Sequence, residues 1–502
     1  MDRQYDVIVV GAGNGGLVAA ANCAKHGLKT LLLEKHNIPG GCATSFVRGR
    51  FEFEPSLHEL CSVGTPEHPD TVYQIFEDLG AKVDWRYENN MYRVIARGEN
   101  GYDVTVKGGI DGYCDSIEAA CPGSRESVKA FLNLVVNCKQ ATEYITKKKG
   151  NPNKLVMALK YGDFMRCASH SVEEVQIALG MPEKARNIVN TYWGYLGVPT
   201  DELCCMHYLT MVNGYVKDGA AMPAKRSHEL SESLIKVFQD KGGEVWYNSE
   251  VTEFLTDESG RIDGVVANGE KIFAKEVISN VIPNNVYSRM DEKKVPENDL
   301  KLANARDFGI SLETVYIGCD CTAEELGIKD YTVFVVDDPN PRVQHDTRGL
   351  YIVNSLNKVV PESSPEGTCT LFFTYLCYGS DIPKDLKPEE YKKWKNAHAE
   401  KYIKDYEKLM GIDISSHIEE ISVATPVTFA RYLGTPDGTI YGYKLSGWDH
   451  LMSRIAHVKA DFTIPGLTFV GGHSSRGDGY SSAYIIGYQH SNQVINRLKG
   501  GN

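Results

Sequence analysis

Three glycines near the N-terminus, Gly11, Gly13 and Gly16, have the spacing G-x-G-x-x-G and follow an apolar stretch at residues 6–10. Valine and isoleucine favour a buried strand, so the glycines stand where this strand turns into a predicted helix at residues 15–25. There the first glycine permits a tight turn, the second admits a pyrophosphate, and the third lets the helix pack on the strand. The helix N-terminus directs backbone N–H groups at the anion. This pattern predicts dinucleotide binding.

Glu34 gives the turn a second feature of such a site. It ends another apolar strand, predicted at residues 29–33, eighteen residues after Gly16. A carboxylate roughly 20 residues past the glycine turn is where a ribose hydroxyl is held. The alternative, an ordinary turn without a ligand, leaves Glu34 unexplained. The order strand, turn, helix, strand and acid therefore favours the dinucleotide.

A second glycine-rich loop, KHNIPGGCATS at residues 35–45, follows the acid directly. A nicotinamide dinucleotide has no particular need for another close backbone approach here, whereas the longer flavin dinucleotide does. The segments VGAGNGGL, LLLEK, PGGCATSF and FEFEPSLHEL resemble the flavin amine oxidase superfamily, within it the branch of phytoene desaturases, carotenoid isomerases and retinol saturases. Residues 215–253 and 466–495 are similar to two further blocks of that family. The chain departs from the family where Glu54-Pro55-Ser56 replaces an Asp-x-Gly.

The resemblance implies FAD, with Glu34 on the adenosine ribose and the backbone of Val251 at the adenine. It implies glycines along the pyrophosphate and ribityl chain, and the start of the C-terminal helix beside the isoalloxazine ring. The cofactor-binding residues implied by motifs and resemblance together are Gly11, Gly13, Asn14, Gly15, Gly16, Glu34, Lys35, Gly40, Gly41, Cys42, Val251, Gly472, Gly479, Tyr480 and Ala483.

The predicted fold class is α/β, with a discontinuous Rossmann-like FAD-binding domain and an α+β substrate domain carrying a helical lid. We expect the FAD-binding domain to comprise residues 1–70, 215–285 and 451–502. The substrate domain would comprise residues 85–214 and 290–450, where helical and strand-like stretches follow one another.

The family resemblance implies an FAD-dependent oxidoreductase acting on carbon–carbon double bonds of a long apolar substrate such as a polyene, isoprenoid or lipid. Saturation, desaturation and isomerisation all stay open, with a slight preference for reduction. The alternatives are a flavin-dependent amine oxidase and a non-catalytic protein with a structural flavin. No second, separate G-x-G-x-x-G is visible, so NAD(P)H is at most a transient electron donor, beside a quinone or a carrier protein.

His58 and Tyr480 are the candidates for handling a proton. Imidazole titrates near neutrality, and the resemblance puts Tyr480 beside the flavin ring. The alternatives are a hydrogen-bonded structural histidine and aromatic packing around a large apolar pocket. No metal is predicted, because Cys204-Cys205 and Cys319-x-Cys321 lack the C-x-x-C spacing.

Composition excludes some classes of protein. The 502 residues carry a net charge of −12, which argues against nucleic-acid binding. Thirteen scattered cysteines predict reduced thiols and a cytoplasmic location, and no apolar run reaches the length of a transmembrane helix. The lysines at 147–149, with Lys154 and Lys160 around the apolar LVMAL, suggest a peripheral membrane contact through residues 147–160. The alternative is the basic face of a soluble helix.

Overall fold

The computed structural model describes residues 3–88, 90–148, 151–217, 219–337, 349–383, 385–445, 447–450, 453–454, 463–474 and 479–500. Its strands are β1 (Arg3–Val10), β2 (Thr30–Leu33), β3 (Phe46–Arg48), β4 (Phe51–Phe53), β5 (Trp85–Tyr87), β6 (Asn90–Ala96), β7 (Tyr102–Lys107), β8 (Ala221–Pro223), β9 (Glu244–Trp246), β10 (Val251–Thr256), β11 (Ile262–Ala267), β12 (Glu270–Ser279), β13 (Ser311–Cys319), β14 (Thr332–Val336), β15 (Leu350–Ser355), β16 (Cys369–Cys377), β17 (Ile418–Ala424) and β18 (Leu467–Phe469).

Residues Asn190–Tyr195 form a 3₁₀ helix, and α-helices lie between groups of these strands along the chain. They are α1 (Asn14–Lys25), α2 (Thr71–Leu79), α3 (Ile110–Ala120), α4 (Arg125–Lys147), α5 (Lys154–Lys160), α6 (Gly162–Ser169), α7 (Val172–Ala178), α8 (Glu183–Val189), α9 (Cys205–Val216), α10 (Arg226–Asp240), α11 (Pro283–Tyr287), α12 (Glu297–Ala305), α13 (Pro388–Met410), α14 (Pro426–Leu433) and α15 (Tyr480–Leu498).

The first sheet has the order β10-β11-β12-β1-β2-β9, with β18 also paired to β12. Strand β1 runs parallel to β12 and β2, and Val10 is level with Leu33 and Ser279. The carboxyl ends of these three strands therefore meet at one edge. Helix α1 begins at that edge and packs against α10 and α15, so segments far apart in sequence form one layered unit around β1.

The second sheet has the order β17-β13-β16-β15-β14-β6-β7, and its strands β13 and β16 are buried on both faces. Alternate residues of β13 point to opposite sides, as the strand period of two requires. Leu312 and Tyr316 pack with the helical segment around α3–α9, whereas Val315 and Ile317 pack against α13. The helices of this segment thus cover the face of the sheet that carries Leu312.

The predicted α/β class is confirmed, and the differences concern boundaries. Strand β1 begins three residues before the predicted start at residue 6. No helix in the described ranges is long and apolar enough to span a bilayer. The predicted domain boundaries stay a prediction.

Candidate active site

A cavity of about 340 Å³ lies at the carboxyl ends of β1 and β2 and reaches to the second sheet. Apart from Gly16, every residue of the predicted cofactor set lines it. These are Gly11, Gly13, Asn14, Gly15, Glu34, Lys35, Gly40, Gly41, Cys42, Val251, Gly472, Gly479, Tyr480 and Ala483. The predicted proton donor His58 also lies on its wall. The fold therefore brings together residues from both ends and the centre of the sequence, and their individual roles stay predictions.

The first glycine turn leaves no room for side chains. Gly11 has φ +93°, a conformation that other residues rarely adopt. A Cβ on Gly13 would lie 2.5 Å from Nδ2 of Asn280, and one on Gly15 would lie 2.9 Å from the backbone nitrogen of Gly471. Gly16 serves packing instead, because its Cβ would lie 2.0 Å from the carbonyl oxygen of Gly11. This is the contact between helix and strand that the motif predicts for its third glycine.

The second glycine loop joins the first directly. The backbone N–H of Gly40 donates to the carbonyl oxygen of Ala12 at 2.8 Å, and a Cβ on Gly41 would lie 3.3 Å from Cα of Gly13. Gly40 and Gly41 have φ values of +124° and +62°. The two loops thus form one continuous backbone surface along the cavity.

Glu34 is buried at the end of β2 with both carboxylate oxygens engaged. Oε2 accepts the backbone N–H of Ala12 at 2.7 Å, and Oε1 accepts that of His36 at 2.8 Å. Because these bonds fix the carboxylate without using all its lone pairs, it still has acceptor capacity toward the cavity. Sequence reasoning missed Arg289 on the same wall, whose guanidinium donates to the carbonyl oxygen of Val251 at 2.7 Å.

Asn280, which follows β12, and His473, which follows Gly472, both line the cavity. Oδ1 of Asn280 and Nε2 of His473 are buried and have no hydrogen-bond partner in the described residues. Burial and the positive charges of Arg454 and Arg306 lower the pKa of His473 to about 3, so its imidazole is neutral. Unsatisfied buried polar atoms are rare in native proteins. Together with the glycine surface and the carboxylate of Glu34, they fit a polar dinucleotide.

His58 lies on the cavity wall as predicted, yet its bonding does not favour an acid. Asn354 uses its amide N–H to donate to Thr332, so its Oδ1, 2.6 Å from Nδ1 of His58, accepts. His58 therefore carries its proton on Nδ1, and Nε2 is an acceptor. Burial lowers the pKa of His58 to about 4, which keeps the ring neutral at neutral pH.

The Tyr480 hydroxyl is also engaged. It donates to the carbonyl oxygen of Cys42 at 2.8 Å and lies 3.0 Å from Oγ of Ser56. Burial raises the pKa of this tyrosine well above its usual value. Tyr480 thus ties the second glycine loop to the start of α15, after Gly479 with φ +85°. The N-terminus of α15 opens on the cavity, where a helix favours negative charge.

The other end of the cavity is apolar and aromatic, with one acidic residue that sequence reasoning missed. Glu59 is 3% exposed and accepts a 2.7 Å hydrogen bond from the hydroxyl of Tyr195. The apolar lining comes from the helices α9 and Asn190–Tyr195, from the second sheet and from nearby loops: Tyr195, Leu196, Met211, Tyr215, Leu312, Ile352, Leu376, Ile440 and Tyr441. The only signal for Glu59 in the sequence is its place directly after His58.

Away from the cavity, Asp320, Cys321 and His417 each place one potential ligand atom within 4.8 Å of the others, and Asp320 pairs with His417 at 2.9 Å. The prediction that the chain holds no metal stays a prediction. All thirteen cysteines are free, as predicted.

Residues 9–79 match the family described as NAD(P)-binding Rossmann-like domain. Over 522 residues, 93% of this chain and 82% of the all-trans-retinol 13,14-reductase of Danio rerio align with 25% identity. Prolycopene isomerase of Daucus carota aligns with 24% identity over 88% of this chain and 72% of its own. The chain is a homologue of retinol reductases and prolycopene isomerases. This confirms the resemblance that the glycine loops and FEFEPSLHEL indicate.

The fold is also similar to that of a solved oxidase structure. A structure of putrescine oxidase matches 99% of this chain and 100% of its own chain, with a TM-score of 0.65 and 16% identity. At that identity the match supports the architecture alone. The family match at residues 9–79 confirms the predicted Rossmann-like domain, and the match to putrescine oxidase extends over nearly the whole chain.

Proposed function

We propose that the chain is an FAD-dependent oxidoreductase that acts on carbon–carbon double bonds of a long apolar substrate such as a polyene, with reduction as the preferred direction. The observation that carries this proposal is the composition of the cavity. One end is a polar surface of glycine backbone with Glu34, and the other is apolar and aromatic around Tyr195 and Tyr215. Homology to retinol and carotenoid enzymes supports the same substrate class.

The two glycine loops would hold the pyrophosphate and ribityl parts of FAD, and Glu34 the adenosine ribose. Val251, fixed by Arg289, would contact the adenine. The N-terminus of α15 would stabilise negative charge on the ring. When bound, flavin supplies or accepts a hydride equivalent at a substrate carbon. The protein has then to orient the substrate, exclude water and handle a proton.

Desaturation and isomerisation use the same cavity, and amine oxidation is the second candidate because putrescine oxidase shares the fold. The test is anaerobic photoreduction of the FAD-loaded protein, followed by conjugated polyenes, enones, unsaturated lipids and amines added one at a time. Flavin reoxidation by one alkene class with a saturated product supports the proposal. A change of double-bond geometry without reoxidation makes it an isomerase. If no alkene reacts, and an amine reduces the oxidised flavin with peroxide release in air, the alkene function is wrong.

A long apolar substrate suggests that the protein takes it from a lipid surface. Helix α5 exposes Leu155 and Leu159 at 67% and 77%, between Lys154 and Lys160 at its two ends. Exposed leucines flanked by lysines suit an anionic bilayer. Helix α5 contacts α6, which contacts α9 on the cavity wall. We therefore propose that α5 rests on anionic lipid.

Of the other residues in the predicted membrane segment, Lys147 and Lys148 are exposed, and Lys149 lies outside the described residues. A cytoplasmic location, a transient NAD(P)H donor and the absence of nucleic-acid binding stay predictions.

A further inference from the structure

Glu59 differs from the other acidic residues of the cavity in the bonding of its two oxygens. Oε1 accepts the hydroxyl of Tyr195 at 2.7 Å, whereas Oε2 is buried without a hydrogen-bond partner in the described residues. Its backbone oxygen accepts the hydroxyl of Tyr215 at 3.2 Å, which anchors the main chain. One oxygen is thus fixed and the other is free of hydrogen bonds, in a residue that lines the cavity.

The surroundings favour the protonated form of this carboxyl group. Burial raises the pKa of Glu59 to about 8, although the nearby hydroxyls of Tyr195 and Tyr192 act in the opposite direction. Within the described residues, no lysine, arginine or histidine pairs with Glu59. The titratable groups around it are Tyr192, Tyr195, Tyr215, Tyr331 and Glu88.

Glu88 adds a second buried carboxyl group. Neither of its side-chain oxygens has a partner in the described part of the chain. Burial and the charge of Glu59 both raise the pKa of Glu88. Two neighbouring buried carboxyl groups without a cation do not both ionise, so this neighbourhood holds at least one proton at neutral pH.

The two residues that the sequence predicts to handle a proton, His58 and Tyr480, do not supply a proton donor at the apolar end of the cavity. His58 is neutral with its only N–H directed to Asn354, and the hydroxyl of Tyr480 donates to the backbone of Cys42. Neither presents an acidic proton to the apolar end of the cavity. Glu59 lies there among aromatic side chains, with His58 stacked on Tyr195 at a centroid distance of 5.7 Å.

We infer that Glu59 is the catalytic acid of this cavity and gives the proton that one alkene carbon receives, an inference that rests on the proposed function. In a reduction, the O–H bond of Glu59 and the C=C π bond break, and a C–H bond forms at one carbon. The other carbon receives a hydride, with its electron pair, from reduced flavin. The resulting carboxylate regains its proton from water. Tyr195 acts as a positioning residue, because it fixes Oε1 and leaves the proton on Oε2.

The decisive variant is Glu59→Gln, which keeps the size of the side chain and accepts the Tyr195 hydroxyl but has no acidic proton. Its matched control is Glu67→Gln, the same change at an exposed glutamate. Infrared titration of the FAD-loaded protein, before any substrate, should show a carboxylic-acid carbonyl band that disappears with a midpoint near pH 8. Glu59→Gln should lose this band, and Glu67→Gln should keep it.

Turnover with the alkene that the wild type reduces gives the second readout. General acid catalysis contributes about 10²–10⁴-fold, so Glu59→Gln should lose at least about 100-fold and also lose the fall in rate above pH 8. Tyr195→Phe should move that fall to higher pH, because its hydrogen bond lowers the pKa of Glu59. Unchanged flavin absorbance and a cooperative unfolding transition show that a variant is folded.

The two levels of the proposal fail in different ways. If the wild type reduces an alkene and Glu59→Gln keeps its rate within about twofold, with the same pH profile, the inference about Glu59 is wrong and the proposed function stands. A carboxylic-acid band that keeps its midpoint near pH 8 in Glu59→Gln also overturns it, whereas a band from Glu88 with another midpoint does not. If the wild type reduces no alkene, the proposed function fails, whatever the infrared titration shows.

Discussion

The protonation of Glu59 has a consequence for folding that needs neither cofactor nor substrate. Its pKa is about 8 in the folded chain and about 4.5 when exposed. Because the folded pKa is the higher one, Glu59 costs no stability below about pH 4.5. Between about pH 4.5 and 8 the unfolded chain loses a proton from Glu59 that the folded chain keeps. The contribution of Glu59 to the free energy of unfolding therefore falls as the pH rises through this range.

The size of this effect follows from the two pKa values. Each pKa unit corresponds to about 1.4 kcal/mol. The contribution of Glu59 to the free energy of unfolding therefore falls by on the order of 3 kcal/mol between pH 4.5 and 7. Glu59→Gln removes this dependence, since an amide does not titrate in that range. The variant should therefore gain stability relative to wild type as pH rises, by about 3 kcal/mol between pH 5 and 8, beyond any constant offset from its unpaired amide.

The assay is urea unfolding of the flavin-free protein at several pH values between 5 and 8.5, followed by tryptophan fluorescence. Only the difference between variant and wild type is used, because groups other than Glu59 and its neighbour Glu88 titrate alike in both chains. Glu67→Gln, at an exposed position, should show no such trend. A difference between Glu59→Gln and wild type that stays constant across this range would refute the reasoning that Glu59 is protonated in the folded chain.

Three further predictions concern the cofactor and the lipid surface. Gly15→Ala should abolish stoichiometric flavin binding, measured by absorbance, because its Cβ would lie 2.9 Å from the backbone nitrogen of Gly471, whereas Gly162→Ala, with no atom within 4 Å of its Cβ, should bind as wild type. Tyr480→Phe should weaken flavin binding about tenfold, measured by fluorescence titration, through loss of a buried hydrogen bond of about 1 kcal/mol and of loop positioning. The turnover rate of Tyr480→Phe should still fall above about pH 8, as in wild type. Leu155→Ser with Leu159→Ser should reduce co-sedimentation with anionic vesicles at least tenfold; equal binding of wild type to zwitterionic vesicles would contradict the lipid proposal.

The cofactor end of the cavity could be predicted from sequence because its determinants are local. Gly11, Gly13 and Gly16 act through backbone conformation and close approach, which depend on residue type and spacing more than on distant packing. Glu34 could be placed because the end of β2 lies level with the end of β1 in a parallel pair. The set of cofactor-binding residues predicted from the sequence omits Asn280 and Gly471, which reach the same turn from the ends of β12 and β18.

The catalytic end could not be predicted in the same way, because burial and distant partners set its chemistry. In the sequence, His58 and Glu59 are adjacent titratable residues, and the imidazole has the usual pKa nearer to neutrality. In the fold, Asn354 of β15 fixes the proton on Nδ1 of His58. Tyr195, from a 3₁₀ helix more than a hundred residues later, completes the site around Glu59. Burial reverses the relative acidity of the two neighbours, although these two hydrogen bonds act in the opposite direction.

This reversal bears on the direction of the proposed reaction. Removal of hydrogen from an alkane segment needs a base for the proton, whereas reduction of an alkene needs an acid. At neutral pH the buried carboxyl group of Glu59 holds its proton, since its pKa is about 8. The apolar surroundings that keep it protonated also admit a polyene and exclude water. The same physical cause thus selects both the substrate class and the acid form, and it favours reduction below pH 8.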